Sequence, residues 1–158
     1  MPFLLVLALA LTPQATARPD LSFLVGKWSG TLTYLDYKDN KSRVELKATL
    51  VCTLVADGLR YQFNYVEPNG KPVQGDETAM TIGADGRTIK IGEDEWTVNA
   101  APAAGRLVVE RKGTDAGQPA RFVRTYSVDG DELRIETVVT PASGVSLVRN
   151  LYALKRDR

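Results

Sequence analysis

Arg124 and Tyr126 form an Arg-x-Tyr pair that is the clearest candidate for ligand binding in this sequence. Between Phe122 and Val128, aromatic and apolar residues occupy alternate positions, and Arg124 falls on the same face as they do. Alternate side chains of a strand share one face, so we expect both residues of the pair to point inward. A buried guanidinium needs an anionic partner. That partner is either a carboxylate of the chain, such as Asp76, or an acidic ligand.

The other candidate ligand-binding residues are aromatic side chains on the inward faces of further predicted strands. With Arg124, Tyr126 and Asp76, we expect the cavity lining to include Tyr34, Tyr61, Tyr65 and Trp96. Small-molecule pockets are mostly apolar, with a few polar groups placed among the apolar ones. This set therefore suits a hydrophobic or amphipathic small molecule, an acid among the candidates.

These candidate residues lie on predicted β-strands. From Leu24 to Tyr37, apolar and polar residues alternate as in a strand with one buried face. The same pattern repeats along the chain between Asp-Gly and Asn-Gly turns. No amphipathic segment is long enough to form a helix that covers a sheet. The sequence therefore predicts an all-β protein, a single antiparallel up-and-down barrel of about ten strands, with a short helical turn within Arg18–Val25.

The start of the first strand, Gly26-Lys27-Trp28, resembles the Gly-x-Trp motif of lipocalins and related calycin barrels. The resemblance implies that the glycine turns the chain into the barrel and that the indole fills its closed end. It also implies an arginine from the final strand stacked on Trp28, and Arg149 matches this residue by position. The strand count is nearer the fatty-acid-binding-protein or nitrobindin-like branch of the superfamily.

Each of these two branches implies a different ligand. Fatty-acid-binding proteins hold a ligand carboxylate with an inward Arg-x-Tyr pair on the last strand. Here Arg124-x-Tyr126 lies two predicted strands earlier. Nitrobindin-like proteins hold haem through a histidine, and this sequence has no histidine. The resemblance therefore implies no cofactor and leaves open an acidic ligand at Arg124.

The composition narrows the chemistry further. The net charge is +1, without the dense basic surface of a nucleic-acid-binding protein. With no histidine, the commonest metal ligand and general base are both absent. The single cysteine, Cys52, excludes an intramolecular disulfide. It points inward, either as a small core residue or as a reactive thiol in the cavity.

Residues 1–17 are predicted to be a secretory signal peptide, and residues 18–158 the barrel domain. An apolar run too short to span a bilayer precedes Ala15-Thr16-Ala17, a sequence of the type that signal peptidase cleaves. We therefore expect a secreted or periplasmic protein without a membrane span.

Three functions remain open from the sequence. The first is an exported barrel that binds a small molecule. The second is a barrel enzyme of the isomerase or lyase type that works without histidine. The third is a filled barrel that serves as an accessory or interaction protein of the cell envelope. A barrel fold alone does not distinguish among these functions.

Overall fold

The computed structural model describes residues 18–99, 103–142 and 144–158. The predicted signal peptide, residues 1–17, lies outside the described residues. The elements are a 3₁₀ helix (Ser22–Leu24) and the strands β1 (Gly26–Leu35), β2 (Arg43–Val55), β3 (Gly58–Val66), β4 (Pro72–Ile82), β5 (Thr88–Ile91), β6 (Asp94–Val98), β7 (Arg106–Asp115), β8 (Gln118–Asp129), β9 (Glu132–Pro141) and β10 (Leu147–Arg156). None of the described residues forms a helix with the length and hydropathy that a membrane crossing requires.

The ten strands form a closed antiparallel barrel in which each strand pairs with its neighbours in sequence. Pairing of β1 with β10 closes the barrel, with Trp28 opposite Arg156 and Tyr34 opposite Asn150. Closure leaves no long free sheet edge. The predicted all-β up-and-down barrel is confirmed.

The barrel end next to the 3₁₀ helix is closed by Trp28, which is fully buried. Its Nε1 donates a hydrogen bond to the carbonyl oxygen of Leu24 (2.9 Å), which ties the helical turn to the barrel. The guanidinium of Arg156 covers the indole, with Cζ 4.0 Å from the ring centre. Gly26 has a φ of +133°, and a Cβ there would lie 2.6 Å from Nη1 of Arg156. A glycine is therefore required where the chain enters β1.

The arginine over Trp28 is Arg156 and not Arg149, which corrects the expectation drawn from the resemblance. Strand β10 contains an irregularity between Val148 and Asn150 in its pairing with β9. Such a bulge adds a residue and breaks the alternation of faces. Arg149 is at the bulge, near the opposite end of the barrel from Trp28.

Candidate functional site

A cavity of about 350 Å³ lies inside the barrel. Its lining combines apolar, aromatic and polar side chains from β2, β3, β4, β8, β9 and β10. The lining residues are Leu24, Leu50, Cys52, Leu59, Tyr61, Phe63, Tyr65, Gly75, Asp76, Thr78, Met80, Arg124, Tyr126, Ile135, Asn150 and Tyr152. Five of the seven residues that the sequence nominated for ligand binding are among them: Arg124, Tyr126, Tyr61, Tyr65 and Asp76.

Arg124 is the cation of this cavity. It is half-buried on β8, and its Nε donates a hydrogen bond to the hydroxyl oxygen of Thr137 on β9 (3.0 Å). Its Cζ lies 4.7 Å from the ring centre of Trp96. Among the described residues, no carboxylate forms an ion pair with the guanidinium; besides Thr137, its hydrogen-bonding neighbour is the phenol of Tyr126. A guanidinium has five N–H donors, so Arg124 keeps donors for a further group.

Asp76 is the carboxylate that the sequence offered as an internal partner for Arg124. It lies on β4, is exposed, and contributes to the cavity lining without forming an ion pair with Arg124. Asp76 thus adds an acceptor to the cavity but does not neutralise the guanidinium.

Burial sets the protonation of the groups around Arg124. Burial disfavours charge on the guanidinium, but neighbouring phenols, above all that of Tyr126, raise the pKa of Arg124 above its ordinary value. Burial also raises the pKa of Tyr61 and Tyr152 well above the ordinary phenol value. The cavity therefore presents a cation and neutral phenols near neutral pH.

Trp96 and Tyr34 do not line the cavity, contrary to the sequence-based expectation. Trp96 is 1% exposed, and the guanidinium groups of Arg124 and Arg111 pack against its ring at 4.7 and 5.0 Å. Its indole is thus part of the wall behind Arg124. Tyr34 is half-buried and packs against the core near the end of β1. Alternation places both side chains inward, but it does not show which inward side chains reach the open volume.

Sequence reasoning missed Tyr152 and Phe63 as lining residues. The rings of Phe63 and Tyr152 stack with centres 4.3 Å apart, and the Tyr152 hydroxyl lies 2.9 Å from that of Tyr65. Phe63 could have been found from the sequence, because alternation places it between Tyr61 and Tyr65 on the same strand face. For Tyr152, both orientations of the last strand were compatible with its sequence, and only the β1–β10 register decides between them.

Cys52 lies on β2 and contributes to the cavity lining. Burial raises the pKa of its thiol to about 12. A thiol with this pKa is almost fully protonated at neutral pH and is a weak nucleophile. Cys52 therefore behaves as a small apolar side chain of the lining.

A second buried arginine, Arg149, lies at the barrel end opposite Trp28. Its Nη2 donates to the carboxylate of Asp115, and Nη1 donates to Oδ1 of Asn40 (2.7 Å). Its Cζ also lies 4.6 Å from the ring centre of Tyr37. Arg149 and Asp115 are 1% and 6% exposed. This buried pair fastens the loop between β1 and β2 to the ends of β7 and β10.

The described residues offer no obvious metal centre. No three His, Cys, Asp or Glu side chains within residues 18–99, 103–142 and 144–158 group as metal ligands would. The chain has no histidine to serve as an axial ligand of haem. The cavity lining supplies one guanidinium, several phenols, a carboxylate, a thiol, an amide and apolar side chains.

Together, the closed ten-stranded barrel and the Gly26–Trp28–Arg156 arrangement define a calycin-like fold with an interior cavity. The crystal structure of Rv2717c from M. tuberculosis is similar to it, with a TM-score of 0.54 and 16% sequence identity over 87% of this chain and 95% of that chain. This likeness shows a shared fold.

Two further solved structures are similar at lower TM-scores. Zebrafish ileal bile acid-binding protein complexed with cholic acid has a TM-score of 0.40 and 14% identity, over 86% of this chain and 100% of that chain. The Schistosoma mansoni fatty acid binding protein in complex with arachidonic acid has a TM-score of 0.41 and 18% identity, over 87% of this chain and 98% of that chain. No family model and no curated protein sequence matches this chain.

Proposed function

We propose that this protein is an exported barrel that binds a small amphipathic acid, whose carboxylate is held by Arg124. One observation carries the proposal. Arg124 lines an interior cavity, and among the described residues its guanidinium has no carboxylate partner, only the hydroxyls of Thr137 and Tyr126. A desolvated guanidinium without an anion is energetically unfavourable, so a ligand carboxylate is the natural partner.

The surroundings of the other inward arginines support this reading. Arg149 pairs with Asp115, and Arg111 pairs with Asp94 (3.2 Å). Arg156 donates to the carbonyl oxygen of Val25 (2.6 Å). In each of these cases the chain itself supplies a charged or carbonyl acceptor, whereas Arg124 has only the hydroxyls of Thr137 and Tyr126.

The cavity favours this function over the two alternatives from the sequence. A volume of about 350 Å³ lies within the roughly 300–1,000 Å³ typical of small-molecule pockets, so the barrel is not filled. An enzyme would need a group whose pKa suits proton transfer near neutral pH. The pKa of Tyr61, Tyr65 and Tyr152 is raised, away from this range.

Calorimetric titration with two apolar acids, dodecanoate and 2-naphthoate, tests the proposal. We expect at least one of them to bind the wild-type barrel. Arg124→Met should weaken that binding roughly ten- to hundredfold, because it removes a charge-assisted hydrogen bond to the carboxylate. The uncharged analogue 2-naphthylmethanol should be insensitive to the substitution.

Arg134→Met is the matched control. Arg134 lies on β9, its side chain is 55% exposed, and its partner is Glu136. This variant should bind as the wild type does. The proposal fails if neither acid binds the wild type, or if Arg124→Met and Arg134→Met bind equally well.

Export is the second part of the proposal and rests on the sequence of residues 1–17. Removal of this segment after Ala17 would leave Arg18 at the amino terminus of the protein. Amino-terminal sequencing of the protein from the culture medium or periplasm of its own host tests this. An intact Met1 on the folded protein would contradict export by signal-peptide cleavage.

A further inference from the structure

The side chains around Arg124 narrow the class of acid that the cavity suits, an inference that rests on the proposed function. Phe63 lies at the centre of an aromatic cluster in the cavity wall. Its ring stacks on Tyr152 at 4.3 Å, meets Tyr61 edge-on at 5.7 Å, and lies nearly parallel to Tyr65 at 6.1 Å. Aromatic faces and edges of this kind favour another ring over a flexible hydrocarbon chain.

The same wall carries hydroxyl groups that a plain alkyl tail would leave without partners. The hydroxyls of Tyr65 and Tyr152 satisfy each other at 2.9 Å. The Tyr126 hydroxyl has the Arg124 guanidinium as its neighbour, the Tyr61 hydroxyl has no such partner within the described residues, and both tyrosines line the cavity. Displacing water from these two hydroxyls with methylene groups is unfavourable, because alkyl groups accept no hydrogen bonds.

Two groups of the lining can donate to a ligand, the guanidinium of Arg124 and the hydroxyl of Tyr61. The guanidinium can only donate, and burial keeps the Tyr61 phenol neutral and able to donate. A ligand with an oxygen acceptor in addition to its carboxylate can accept from both groups at once. The cavity volume of about 350 Å³ is near the lower end of the usual range for small-molecule pockets, which favours a compact ligand.

We propose that the ligand is a compact aromatic carboxylic acid with at least one further oxygen acceptor, bound with its ring against Phe63 and its carboxylate at Arg124. A long-chain fatty acid is the poorer match. It would place a flexible chain against the aromatic cluster and the hydroxyls of Tyr61 and Tyr126.

Calorimetric titration of the wild-type protein with 3-hydroxy-2-naphthoate and dodecanoate tests the inference, because these acids have equal numbers of non-hydrogen atoms. We expect the aromatic acid to bind at least about tenfold more tightly than dodecanoate. One or two aromatic contacts can supply a difference of this size. Phe63→Leu should reduce this preference while leaving dodecanoate binding unchanged.

The hydroxyl contribution is tested by Tyr61→Phe and Tyr126→Phe, with Tyr34→Phe as the matched control outside the cavity. Each of the first two substitutions should lower the affinity for 3-hydroxy-2-naphthoate about fivefold, the effect of one hydrogen bond. Each should lower the affinity for 2-naphthoate less. Tyr34→Phe should change neither affinity.

The possible results separate this inference from the proposed function. Tighter binding of dodecanoate, still dependent on Arg124, would overturn the aromatic ligand class and leave the acid-binding barrel intact. Binding of neither acid would overturn both. Tighter binding of 3-hydroxy-2-naphthoate that depends on Arg124 and Phe63 would support both.

Discussion

Arg149 and Arg124 point into the same barrel from β10 and β8, yet their surroundings differ completely. Arg149 has a carboxylate, an amide oxygen and an aromatic face, all supplied by the chain. Arg124 has two neutral hydroxyls and the face of Trp96, and it lines a cavity. A buried arginine by itself therefore does not indicate a ligand site. The informative feature is a guanidinium that lines a cavity and has no carboxylate from the chain as its partner.

The strongest test of the Arg149 region is removal of its carboxylate. Asp115→Ala should lower the free energy of unfolding by about 3–5 kcal/mol, because it leaves a buried guanidinium unpaired. Urea unfolding followed by tryptophan fluorescence measures this. The double variant Asp115→Leu/Arg149→Met should recover much of the loss, since replacing both charges with apolar groups removes the unpaired cation. A single variant as stable as wild type would show that the pair does not hold this end of the barrel.

The next test concerns Arg156 at the other end of the barrel. Arg156→Met removes the hydrogen bond to Val25 and the contact with Trp28. We expect the free energy of unfolding to fall by about 1.5–3 kcal/mol, the usual contribution of a hydrogen bond from a charged group. Ligand affinity should be unchanged. Thermal unfolding and calorimetric titration of the same preparation measure both quantities. A change in affinity without a change in stability would place Arg156 in the binding site.

A smaller effect is expected at Tyr37, which is 61% exposed and covers Arg149. Tyr37→Leu should lower stability by about 0.5–1 kcal/mol, the range of an exposed cation–π contact. Tyr37→Phe keeps the ring and should unfold as the wild type does. Equal losses in both variants would show that the hydroxyl, and not the ring face, supports Arg149.

The fold was predictable because a barrel is encoded locally. Side chains alternate in strand after strand, and Asp-Gly or Asn-Gly turns separate them. The inward direction of Arg124 followed from the same alternation. The role of Arg149 did not follow, because the bulge between Val148 and Asn150 breaks the alternation. The position of Trp96 behind Arg124 was also not predictable, since it depends on packing across the barrel.

We infer that Arg124 serves ligand binding and not the stability of the fold. Urea unfolding of wild type and Arg124→Met, each with and without saturating 3-hydroxy-2-naphthoate, distinguishes these two roles. Without ligand, the free energies of unfolding of the two proteins should agree within about 1 kcal/mol, because the substitution breaks no ion pair. With ligand at about a hundred times its Kd, the free energy of unfolding of the wild type should rise by about 2.7 kcal/mol. That of the variant should rise much less. A variant that is 3–5 kcal/mol less stable without ligand, or that gains as much from the ligand as the wild type does, would contradict the claim.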